Sequence, residues 1–256
     1  MSYLAAFAII LTAGVVAALA TSLNQRHVDI ELRRRNHDVG SVVFLQLGTV
    51  FAVFLAFTFS EVWSAYNETQ LAIDQEVAAM HGAAMIATTL SPPTAGDAIL
   101  SAQRAYVESV AYQEWPIMAA RRTGDHGTER KFAALIREAA NLQLAGPDQS
   151  EKKATILSLL TQAHVHRETR IYEASNGVPV PLWGVLIAFT VMLSIFVTLS
   201  QIQNPTIAVA ISACFAAGLV SILVMARLLE YPFEGAIALP PTDFIAAIGK
   251  IADLTH

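Results

Sequence analysis

The chain has 256 residues, 54% of them hydrophobic and only 14% charged, with a net charge of −5. Soluble domains carry about 25% charged residues, and here the missing charge is concentrated in a few stretches. No basic surface recommends a nucleic-acid partner. The single cysteine, Cys214, excludes an internal disulfide and any cysteine-based metal site.

Four apolar stretches reach the length of about 20 residues needed to cross a bilayer as a helix. They run from about Tyr3 to Leu23, Val42 to Val62, Leu182 to Leu199 and Ile207 to Ala226. The short turn from Ser200 to Pro205 makes the last two antiparallel neighbours. Ala18-Leu19-Ala20 resembles a signal-peptide cleavage site, but Met1-Ser2-Tyr3 carries no basic residue and the apolar run is too long. The first stretch is therefore read as a retained span. The fold class is an all-α membrane protein with an antiparallel helical bundle inserted between the second and third spans.

The domain boundaries follow from the charge distribution: residues 1-63 hold the first pair of spans, 64-181 the water-exposed bundle, 182-226 the second pair and 227-256 the tail. Within the bundle, Ser91-Pro92-Pro93 ends a helix that continues out of the second span. A second helix runs from about Asp97 to Arg122, with Pro116 expected to kink it. After the loop from Thr123 to Gly127, a third helix covers about Thr128 to Leu144 and stops at Gly146-Pro147. Asp148 and Glu151 have capping-box spacing and open a fourth helix, which Gly177 closes. In the tail a short amphipathic helix runs from about Pro241 to Leu254 and caps the bundle or lies at the membrane surface.

Residues that could carry chemistry are sparse. His164 and His166 are two apart, on different sides of a helix, and His81 and His126 have no evident partners, so no metal site is expected. There is no phosphate-cradling glycine loop and no serine elbow. The acids are scattered along amphipathic helices and read as a solvated face. No enzyme and no cofactor are expected. The middle of every span lacks ionisable residues, which argues against a proton-coupled carrier but not against a passive pore. Glu61 and Arg227 sit at span ends, where interfacial anchoring accounts for them.

The second span is the informative one. Phe51, Phe54, Phe57 and Phe59 crowd it. Thr49, Ala52, Ala56, Ser60 and Trp63 fall at spacings of three or four and read as a helix-packing face. Phe51, Leu55 and Thr58 form a neighbouring stripe.

The run "LAFTFSEVWSAYNE" resembles the end of the pore helix of bestrophins. The chain as a whole resembles the bacterial bestrophin-like family, long catalogued as a domain of unknown function. "FLAFTFSEVWSAYNETQLAIDQEVAAM", "AYVESVAYQEWPIMA", "VPVPLWGVLIA" and "LLEYPFEGAIALPPTDF" carry that resemblance in order. It implies a homo-oligomer, a pentamer in bestrophins, conducting inorganic ions, chloride among them, through a hydrophobic neck on the second span. Carried onto this sequence, Phe51, Phe54, Leu55 and Thr58 are the expected constriction. The acidic cluster that binds calcium in animal bestrophins has no counterpart after Pro232, so no calcium site is expected. The alternative is a membrane sensor or scaffold whose helical domain binds a ligand or partner protein.

The family implies a bacterial inner membrane. Arg26, Arg33, Arg34 and Arg35 in the first loop, set against Arg167, Arg170 and Arg227, slightly favour an outward-facing soluble domain. The bestrophin resemblance favours a cytoplasmic one.

Overall fold

The structure, a computed structural model, describes residues 1–27, 37–199, 202 and 204–254. Arg33, Arg34 and Arg35 lie outside the described residues, as do Ser200, Gln201 and Gln203 of the turn between the last two spans. The described residues form helices and no strand. The helices are α1 (Tyr3–His27), α2 (His37–Ala87), α3 (Pro93–Ser109), α4 (Trp115–Arg121), α5 (His126–Asn141), α6 (Pro147–Ser175), α7 (Val180–Thr198), α8 (Pro205–Leu229) and α9 (Thr242–Leu254). A π-helical turn, Val110–Glu114, joins α3 to α4.

Two compact units emerge. The first comprises Met1–Ser64, Gly177–Glu230 and Gly235–Ile237; the second comprises Ala65–Asn176, Tyr231–Glu234 and Ala238–His256. Four helices, α1, α2, α7 and α8, are long and apolar enough to cross a membrane. Their outer surfaces carry large apolar side chains such as Leu4 (84% exposed), Phe7 (66%) and Val191 (53%). Water-soluble surfaces rarely expose so much contiguous apolar area, and a bilayer covers it.

In the first unit small residues bring α1 against α8. Ala6, Gly14, Ala17 and Thr21 are buried on α1, opposite Ala208, Ser212 and Ala216 on α8. A Cβ at Gly14 would lie 3.4 Å from the Ala213 carbonyl oxygen, so the backbones meet closely there. Thr12, Thr49, Thr58, Thr190 and Ser194 donate their hydroxyls to carbonyls four residues back, satisfying groups that lipid would not. Glu230 closes α7 onto the end of α8. It accepts from the Val178 N–H at 3.0 Å and the Trp183 Nε1–H at 3.1 Å, and its carboxylate pairs with Arg227 at 2.9 Å.

The second unit has one apolar core drawn from α2, α3, the π turn, α4, α5, α6 and α9. Helix α9 contributes Phe244, Ala247 and Ile251, so the tail caps the bundle. Three local expectations change. Helix α3 begins at Pro93, where proline's fixed φ suits the first helical position. Pro116 does not simply kink its helix: it lacks the N–H for the Tyr112 carbonyl and would collide with it, and the π turn just upstream absorbs the extra residue, with the Trp115 N–H bonding the Val110 carbonyl. The Asp148/Glu151 capping box does not form. Gly146 caps α6 at φ 94 with Pro147 next, and Asp148 instead pairs with Lys152 at 3.0 Å.

Helix α5 starts two residues earlier, at His126, with the loop aspartate Asp125 as its N-cap. The Asp125 carboxylate accepts from the Thr128 N–H at 2.8 Å and its hydroxyl at 3.0 Å. Burial alone would raise its pKa; the Thr128 hydrogen bonds outweigh that and hold it below the usual carboxylate value. A carboxyl depressed by folding stabilises above its unfolded pKa and loses that contribution as pH falls through the folded value. Asp125→Ala is therefore expected to cost about 1 kcal/mol at neutral pH. In thermal unfolding of both proteins, that difference should shrink as pH drops below about 4.

Candidate functional site

Helix α2 spans 51 residues, about 76 Å at 1.5 Å per residue. Within the first unit one stripe of it is covered by its own chain. Phe51 is 2% exposed, Leu55 6% and Thr58 4%. Phe51 and Leu55 pack with Leu186 and Leu193 of α7 and Leu223 of α8; Phe54 is half-buried against the same cluster. The Phe51 ring stacks on Phe189 at a centroid distance of 6.0 Å. This stripe is the seam of the unit.

The opposite stripe is uncovered. Gln46, Thr49, Ala52, Val53, Ala56, Ser60 and Trp63 are all exposed. The small-residue stripe, expected to pack, is left uncovered by its own chain, whereas Phe51 and Leu55 of the expected constriction are covered and Phe57 is 74% exposed. The reason is volume. Facing leucines on α7 and α8 receive Phe51 and Leu55, whereas the smaller Thr49, Ala52, Ala56 and Ser60 stay exposed. Glu61 is exposed at the end of the apolar segment.

The second unit holds a charge cluster that sequence reasoning missed. Arg170 is fully buried; its Nε donates to Glu76 Oε2 at 2.9 Å and its Nη2 to Glu114 Oε2 at 3.0 Å. Arg167 Nη2 donates to Glu114 Oε1 at 2.5 Å, and the Tyr106 hydroxyl donates to Glu76 Oε1 at 2.5 Å. The Asp125 N–H adds a bond to Glu114 at 3.1 Å. Arg167 Nε, also buried, has no partner. Two carboxylates and two guanidiniums leave the cluster neutral, the condition for burying charge without a large penalty.

Burial works against the charge on Arg170, and the carboxylates of Glu76 and Glu114 outweigh it, holding its pKa above the ordinary arginine value. Burial, reinforced by the Glu76 charge, pushes the Tyr106 phenol well above its usual range, so it stays a neutral donor. The acids at 76 and 114 are thus core groups rather than a solvated face. Arg167 and Arg170, counted in the sequence among the charges that orient the spans, are internal counter-ions.

The histidines do not converge: His126 faces Glu129 at 3.3 Å and His164 stacks on Phe132 at 5.5 Å. Among the described residues no group of three or more His, Cys, Asp or Glu is placed to hold a metal.

The profile of the Bestrophin-like domain family matches residues 11–244. The chain belongs to the Bestrophin-like family. A crystal structure of a mutant bacterial bestrophin homologue from Klebsiella pneumoniae superimposes with a TM-score of 0.77, covering 96% of this chain and 98% of the other at 17% identity. A second structure of the Klebsiella homologue gives 0.75 over 97% and 98%, also at 17% identity. A crystal structure described as a membrane protein gives 0.78 over 96% and 98%, again at 17% identity. At that identity the likeness is one of fold. No curated protein matches the chain significantly.

Proposed function

We propose that this bestrophin-like chain is one subunit of an oligomeric passive ion channel whose conduction path is lined by the uncovered stripe of α2. The observation that carries this reading is the chemistry of that stripe. Gln46 and Ser60 are exposed by their own chain within an otherwise apolar helix, and lipid gives such groups no partner. Copies related by rotation, five in bestrophins, would turn the stripe towards a shared water-filled axis. Val53, 53% exposed, with Thr49 one turn away, is the constriction this reading favours; apolar rings of that kind gate by dewetting. The same reading puts the assembly in a bacterial inner membrane.

The family resemblance implies anions, chloride among them, as the permeant species. One observation supports cations as a second reading. From Ser41 to Ala87, α2 contains no Lys or Arg, and its exposed ionisable residues include Glu61, Glu68 and Asp74. Repeated in every subunit, exposed acids favour cation entry. Ion flux from liposomes holding the purified protein tests both points. Selective chloride flux supports the family's selectivity, and potassium flux that weakens in a Glu61→Gln variant supports the second reading. A folded assembly that passes neither ion would favour a sensor or scaffold.

A further inference from the structure

The C-terminal segment does more than end the chain. Tyr231–Glu234 and α9 belong to the second unit. Arg122, in the left-handed conformation that ends α4, donates to both Glu234 oxygens at 2.5 and 3.0 Å and lies 3.4 Å over the Tyr231 ring. The Trp115 Nε1–H donates to the Leu239 carbonyl at 2.9 Å, and Phe233 meets the Trp115 ring edge-on at 5.1 Å. Beyond this clasp, α9 lays Phe244 into the core at 0% exposure. The Phe244 and Trp115 ring centres lie 5.3 and 5.4 Å from the Arg170 guanidinium. The tail therefore covers the same cation that holds Glu76 of α2.

We propose that the tail is a releasable lid on the buried charge cluster. Phe244 keeps the Glu76–Arg170–Glu114 pairs dry, and lifting α9 loosens α2 at Glu76. Ion pairs strengthen as water is excluded; admitted water would compete for Arg170's donors and for the carboxylate oxygens. The clasp is the weaker point, because its charges are partly exposed, 37% for Arg122 and 25% for Glu234, and exposed pairs hold little. The lid would regulate the proposed pore, and rests on the channel reading only for its effect on flux.

Hydrogen exchange on the full-length protein in lipid nanodiscs tests this. Glu234→Gln cuts the clasp without opening a core cavity, and Phe244→Ala removes the covering ring. Exchange over residues 242–254 is expected to rise about two- to fivefold in Glu234→Gln, and exchange over 65–87 to rise with it in both variants. Faster exchange confined to 242–254 would show that tail and α2 are uncoupled and overturn the proposal, as would unchanged exchange over 242–254 in both variants. If Phe244→Ala does not fold, Glu234→Gln decides alone. The expected exchange changes without ion flux in any variant, wild type included, would leave the lid standing and count against the channel instead.

Discussion

Arg170→Ala is expected to destabilise the second unit by about 3–5 kcal/mol, the range for removing one partner of a buried ion pair. The loss is large because two carboxylates depend on this guanidinium. Glu76 would keep only the Tyr106 hydroxyl, and Glu114 would keep Arg167 and the Asp125 N–H. The charge balance predicts a rescue. Arg170→Met combined with Glu76→Gln returns the cluster to one anion and one cation and leaves Tyr106 an acceptor. Most of the lost stability should return, read as the unfolding midpoint of the detergent-solubilised protein. A loss under about 1 kcal/mol for the single variant would mean that the cluster is wetter than its burial indicates.

The second large effect separates the two stripes of α2. Phe51→Ala empties a site that is 2% exposed between α7 and α8. Such truncations cost about 3–5 kcal/mol in soluble cores. Here about 1–3 kcal/mol is expected, because lipid solvates an apolar side chain and only the packing part is lost. Val53 is 53% exposed within its chain, and Val53→Ala should leave subunit stability within about 0.5 kcal/mol of wild type. Its effect should fall on conduction instead, as a raised ion flux from a widened constriction. Thermal unfolding and liposome flux on the two variants should therefore give opposite patterns. Raised flux from an otherwise stable Phe51→Ala would return the constriction to the phenylalanine stripe.

The spans were legible because bilayer thickness imposes a length and a composition that few other segments satisfy. The bundle's helix ends were legible where proline and glycine fix the backbone, as at Pro92-Pro93 and Gly146-Pro147. Asp125 was misread as a loop residue because capping depends on where its side chain turns. The two stripes of α2 were visible, but which one the chain covers depends on the leucines of α7 and α8, far away in sequence.

The charge cluster did leave a trace. Ile156, Leu160, Ala163, Arg167, Arg170 and Ala174 are all buried, and they repeat at intervals of four and three along α6. Two arginines thus occupy core positions of an apolar seam, and a seam interrupted in that way calls for buried acids opposite. Glu76 could have been found by the same reasoning, between Ile73 and Met80. Glu114 could not. It turns inward with Tyr106, Val110 and Met118, all 0% exposed, because the π turn supplies an extra residue, and nothing short of the backbone path reveals that.

The most direct test of the central claim is the reactivity of single cysteines along α2, in a background with Cys214 replaced, towards a water-soluble thiol reagent in lipid. Thr49→Cys, Val53→Cys, Ala56→Cys and Ser60→Cys should react and lose ion flux on modification, while Phe51→Cys and Leu55→Cys stay unreactive. Reaction at 51 and 55 with silence at 49, 53, 56 and 60 would contradict it, and would mean that the uncovered stripe faces lipid or another helix rather than water.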